Sequence, residues 1–313
     1  MKYVYLDQMH WIALAKAASG HRDGSRFVPV LNAVKDAVAN RRAVLPLSFA
    51  HIFETAKSPR PDQRKALAAL MTCLSAGVVL CWSRPLVEFH LRNSVRRLFA
   101  LPLLAPEPSP FGRGVEDVLG FDLLARLGGG PERAAQLRRS LDTPAAWIDL
   151  LAYKDEVSRK LGIESVERIA NECVEENELR RATWAGKNGD FTRRAYAVSL
   201  TKTFWLELQR ALHEVGRTIE EWGRVGTKCL MEFWESIPRP HVEMELHTQM
   251  HRQNSKPWKR NCHRDIDFLA DAIPACDVVV TEAFWVDLSH RRNLHQRYDT
   301  VLLSDLTDLN GQL

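Results

Sequence analysis

The chain has 313 residues, is 45% hydrophobic and 26% charged, and carries a formal net charge of +4. That balance supports a globular protein with a core of ordinary size, and no apolar run approaches the roughly 20 residues of a membrane-spanning helix. The six cysteines (Cys73, Cys81, Cys173, Cys229, Cys262, Cys276) form no C-x-x-C pair, and Lys2 leads directly into a short strand. Reduced, mostly buried thiols in a cytoplasmic protein without a signal peptide are therefore expected.

Tyr3 to Leu6 reads as a first buried strand, followed by Asp7 and then a helix from Gln8 to Lys16. Residues 27–38 have apolar positions at helical spacing. Arg42 to Ser48 reads as a second strand, with Ser48 placed to cap a helix that carries His51, Glu54 and Lys57 before Pro59. Gln63 to Ser75 is a further amphipathic helix, and residues 78–82 are a third strand. From about residue 84 to 252 the pattern is helix after helix. It is broken by a proline-rich loop over 101–114 and by Gly128-Gly129-Gly130-Pro131, with one long helix expected over 190–215 and a capping box at Thr218-x-x-Glu221. Trp147, Trp184, Trp205, Trp222 and Trp234 are expected to pack between these helices. The tail returns to strands at 277–281 and 298–304. Strands alternating with helices imply a mostly parallel sheet. The expected organisation is an α/β core, residues 1–83 and 253–313, interrupted by an all-helical insertion over 84–252.

Acidic residues fall where such a sheet would place its chemistry. Asp7 follows the first strand, Glu54 lies on the helix after the second, Asp265 and Asp267 lie on the helix before the fourth, and Glu282 follows the fourth. For Asp7 the plain alternative is a helix cap. Carboxylates converging at one crevice repel unless a divalent cation holds them, and hard oxygen ligands suit Mg²⁺ or Mn²⁺. Asp277, at the other end of its strand, reads as structural. Asp287, Asp305 and Asp308 read as solvated helix-end acids.

Two segments, LPLSFAHIFETAK and RDIDFLADAIPACDVVVTEAFW, together with Asp7, resemble the PIN-domain nucleases: an aspartate ending the first strand, a glutamate on a following helix, an aspartate on a late helix, then "VT" and an acid. The resemblance covers residues 1–82 and 261–309. It implies a PIN-like three-layer fold and a metal-dependent endoribonuclease leaving 5′-phosphate ends, a toxin or defence effector with an antitoxin or other protein partner being one such role. Asp7, Glu54, Asp265 (or Asp267) and Glu282 would be the metal ligands and Thr281 the accompanying hydroxyl. Beside them, His51 shares a helical face with Glu54, where it either orients water or phosphate or, as the plainer reading, caps or packs, and Ser48 is an auxiliary of the same kind. Gln8-Met9, where the family favours small hydroxyl residues and asparagine, and the glutamate at 282 depart from the pattern. For RNA, Lys256, Lys259, Arg260 and Arg264 flank Trp258, an arrangement suited to phosphate neutralisation and base stacking.

The rival reading is a non-catalytic PIN-like module whose helical segment binds a partner. A receiver-like signalling domain wants a lysine after the last strand, where Leu303-Ser304-Asp305 stands. Glycine-rich phosphate loops are absent.

Overall fold

The computed structural model describes residues 1–120, 130–153, 155–253 and 256–313. Part of the expected break at Gly128-Gly129 lies outside them. The protein is mixed α/β with a four-stranded parallel sheet, and the chain divides into two compact units. One comprises Met1–Trp82, Pro110–Ile169 and Ala275–Leu313; the other comprises Ser83–Ser109 and Ala170–Pro274.

The first unit is built on β1 (Lys2–Leu6), β2 (Ala43–Val44), β5 (Val278–Val280) and β6 (Val301–Leu303), in the order β2-β1-β5-β6. β1 is central: Tyr3 pairs with Val44 on one side, and Val4 and Leu6 pair with Val278 and Val280 on the other. Buried on both faces, β5 is a continuous run of valines, as a covered parallel strand should be. The third strand, β3 (Val78–Leu80), joins the edge beyond β2 through Leu47, whose N–H donates to Val78 and whose carbonyl accepts from Leu80. Helices Gln8–Ala18, Val28–Ala39, Phe49–Ala56 and Pro61–Ser75 lie close to their expected bounds. They close a core of Val4, Leu6, Trp11, Leu14, Leu45, Leu47, Met71 and Val280.

Four expectations need correction. The stretch 84–252 is not wholly helical: β4 (Phe111–Arg113) pairs antiparallel with β3. Three residues give too short a pattern to read, and the pairing is set by contacts far away in sequence. Phe111 stacks on Tyr3 at 3.7 Å, and Gly112 fits because a Cβ there would meet Asp117 Oδ2 at 2.2 Å. The span 110–169 thus belongs with the sheet, and 253–274 with the helical unit. The long helix expected over 190–215 is two, Gly189–Thr203 and Trp205–Glu214, interrupted at Phe204, which turns inward against Trp234. Trp147, Trp222 and Trp234 are buried as expected, whereas Trp205 is exposed. Of the cysteines only Cys262 and Cys276 are fully buried; all are free thiols.

The second unit packs Tyr196, Leu200, Phe204, Leu208, Leu212, Trp222, Phe233, Trp234 and Met244 into its own core. The Thr218 box forms as read: Thr218 Oγ1 accepts from the Glu221 N–H at 3.2 Å, and the Glu221 carboxylate accepts from the Thr218 N–H at 2.8 Å. No helix of the described residues is long and apolar enough to cross a membrane.

Candidate active site

The opening strand delivers Asp7 to the carboxyl end of the sheet. Its N–H donates to the Val280 carbonyl at 2.9 Å, so the residue is fixed beside the end of β5. The side chain does two things. Oδ1 accepts from the Gln8 N–H at 2.6 Å and so caps helix Gln8–Ala18, while Oδ2 accepts from the Thr281 hydroxyl at 3.2 Å. The cap and the strand-end site are therefore one and the same carboxylate. Thr281 is buried, and its N–H continues the sheet by donating to Leu303.

Burial pushes the Asp7 carboxyl above the ordinary carboxylate range, and the negative charges of Glu282 and Glu54 push it the same way; the bonds from Gln8 and Thr281 pull against them. Asp7 thus feels the charges of both Glu282 and Glu54. Glu282 is exposed at the start of helix Ala283–Arg291. Glu54 is half-buried and accepts from Lys57 Nζ at 2.6 Å. This set is all oxygen and mostly anionic, the donor chemistry that Mg²⁺ or Mn²⁺ prefers. Among the described residues, no three His, Cys, Asp or Glu side chains already surround a single point.

His51 clamps the site from behind. Nδ1 accepts from the Ser48 N–H at 2.9 Å, which leaves the proton on Nε2 to donate to the Leu6 carbonyl at 2.8 Å. Burial holds its pKa down at about 4. A neutral, fully engaged imidazole beneath Leu6 orients the end of β1, and it has no proton to trade at neutral pH. Ser48 belongs to the same clamp.

Three residues of this neighbourhood escaped the sequence reading. Gln8 is buried and donates to Thr55 Oγ1 at 3.0 Å. His10 is buried, bonded to the Thr281 backbone, and its proton affinity is lowered chiefly by burial. All three sit on the first helical turn after a strand-end acid, or on the Glu54 helix, so proximity in sequence was the available signal.

The remaining expected ligands lie in the second unit, on helix Arg260–Ala272. Asp267 is engaged by Arg239 at 3.0 Å and by His263 at 3.5 Å. Asp265 is half-buried, and its charge acts on Cys262. Asp277 is structural as read: Oδ2 accepts from the Tyr3 N–H at 2.6 Å, tying the amino ends of β1 and β5 together.

The basic stretch needs two corrections. Trp258 is buried, stacked on His247 with centroids 5.3 Å apart, and therefore presents no face to a base. Arg264 is also buried and donates to Asn261. Lys259 and Arg260 are exposed and Lys256 is half-exposed. Arg64, like Arg264, is buried and binds Glu156 and the carbonyls of Ser58 and Ala152.

No family model, curated protein or solved structure matches this chain.

Proposed function

We propose that the protein is a PIN-like, metal-dependent endoribonuclease acting through the acids at the carboxyl end of its sheet. The observation that carries this reading is Asp7: an acid at the end of the central strand, bonded to the Thr281 hydroxyl and pressed by the charges of Glu54 and Glu282. A pure helix cap has no need of two more carboxylates beside it, and their mutual repulsion opposes folding.

Asp7, Glu54 and Glu282 are the residues that would hold Mg²⁺ or Mn²⁺. The cation, when bound, would supply an activated water and offset charge on the phosphate. The chain's own residues do the rest. Thr281 fixes the rotamer of Asp7 through Oδ2. His51 fixes the strand that carries it. Lys57, beside Glu54, offers a positive charge to a phosphodiester as that pair opens. Lys259 and Arg260 supply exposed charge for the RNA backbone. A protein partner of the antitoxin kind belongs to the same proposal.

The test is cleavage of mixed RNAs with Mn²⁺, with and without chelator, by the wild type and by Asp7→Asn. Asparagine caps about as well as aspartate, so the variant should stay folded and at least as stable, because burial and repulsion no longer oppose a charge there. A ligand loses the charge a hard cation requires, and cleavage should be abolished. Wild-type cleavage by Asp7→Asn would reduce Asp7 to a cap and favour the non-catalytic module.

A further inference from the structure

The second unit contains a buried polar seam that the proposed nuclease site does not use. Helix Pro238–Arg252 carries Arg239, Glu243, His247 and His251 at intervals of four, on one face, and helix Arg260–Ala272 carries His263, Asp267 and Asp271 in the same rhythm. One end of the seam is an ion cluster in which Arg239 donates to Asp271 at 2.8 Å, Glu243 at 2.8 Å and Asp267 at 3.0 Å. The other end is imidazole. His247 and His251 are buried, 1% and 7% exposed, yet neither nitrogen of either ring has a hydrogen-bond partner, and Nδ1 of His263 has none. The rings are neighbours: His247 lies 5.9 Å from His263 and 6.4 Å from His251, centroid to centroid. Buried polar atoms left unpaired are destabilising, and so many together call for an occupant.

We infer that this cluster is a buried site for a borderline-soft divalent cation, Zn²⁺ fitting best, with His247, His251 and His263 as nitrogen donors and the Cys173 sulfur as the fourth. Three imidazoles and a thiolate are a tetrahedral zinc set. His263 is already arranged as a ligand: Nε2 faces Asp267 at 3.5 Å and Nδ1 is unpaired, the carboxylate–histidine pairing that orients metal-bound imidazoles. Cys173, half-exposed on helix Glu156–Trp184, lies close to the His263 ring. The rings must turn to converge, since no three such side chains yet surround one point; His247 and His251 lose no hydrogen bond in doing so. Arg180 and Arg181 lie near these rings and oppose a cation, while Asp267, Glu243 and the thiolate balance it. Four protein donors leave no open position, so the ion is structural and pins these helical segments of the unit together. Trp258, packed on His247 and His251, shields it from water.

The experiment uses the full chain with Asp7→Asn, which removes the hard-ligand site, after dialysis against chelator and titration with Co²⁺. One equivalent should bind with the visible bands of tetrahedral cobalt and a near-ultraviolet thiolate-to-cobalt band, and Zn²⁺ should bleach both. Cys173→Ser should lose the thiolate band and keep the visible ones, and His251→Gln should weaken binding at least tenfold. A featureless titration, or spectra and affinity unchanged by both substitutions, would overturn the proposal. If His251→Gln does not fold, the titrations of the Asp7→Asn chain with and without Cys173→Ser decide alone.

Discussion

Replacing His51 with glutamine should make the protein's acid sensitivity weaker rather than stronger. In the folded chain burial pushes the His51 pKa down to about 4, against 6.5 for an unhindered imidazole, and the bond from Nε2 to the Leu6 carbonyl only partly opposes that shift. Its folded value is the depressed one. The stabilisation it supplies is therefore complete above about 6.5, where it is neutral in both states, and drains away as pH falls from there to about 4, as only the unfolded chain takes up a proton. At about 1.4 kcal/mol per tenfold change in proton affinity, the span from 6.5 to about 4 amounts to roughly 3 kcal/mol. At pH 7 the variant should be less stable by about 1–3 kcal/mol, the loss expected when the Ser48 N–H goes without its buried acceptor. By pH 4 that deficit should vanish or change sign. Urea denaturation of both proteins at half-unit steps from pH 7 to pH 4 gives the difference directly. A difference that does not move with pH, or an His51 resonance titrating near 6.5, would refute the clamp.

Gly24→Ala should be strongly destabilising, by about 2–3 kcal/mol, because a Cβ there would lie 2.3 Å from the backbone of Ala17 and Lys16, which cannot move as a side chain can; a melting temperature within a degree of wild type would contradict that packing. Lys259→Glu should weaken RNA binding and flatten its salt dependence, read by filter binding at several salt concentrations. Trp258→Ala, by contrast, should lower stability by about 3–5 kcal/mol, as loss of a buried tryptophan does, and a variant that melts like wild type would return Trp258 to the surface role read from the sequence.

The sheet was legible because its strands are short apolar runs, each ended by a residue that cannot be mistaken for core. Asp7 and Thr281 punctuate β1 and β5, and Asp277 marks the opposite edge. The same punctuation drew attention to Glu282, just beyond β5, whose charge acts on Asp7. Trp258 and Arg264 failed for a different reason. Their local composition is that of a basic surface loop, and only packing of Trp258 on His247 and His251, on a helix that ends before the loop, decides that they face inward. The unpaired histidines were equally silent: HTQMH at helical spacing looks like an ordinary face until burial shows that no water reaches it. β4 was hidden because its partner strand lies some thirty residues away and its fit depends on a missing side chain at Gly112.

The placement of β1 has a consequence for how the molecule comes into being on the ribosome. β1 emerges long before its neighbour β5, which begins at Val278, and Leu6 must wait for Val280. At typical synthesis rates of about 5–20 residues per second, that wait is tens of seconds or less. Meanwhile one edge of β1 offers unpaired backbone groups, which chaperones or other chains can occupy. Asp7 also waits, for Thr281 and Glu282 arrive on the same late segment. A nascent chain, or one cut before residue 278, therefore carries the first acid without the hydroxyl that orients it and without the glutamate beside it. The site is therefore assembled only when β5 docks beside β1.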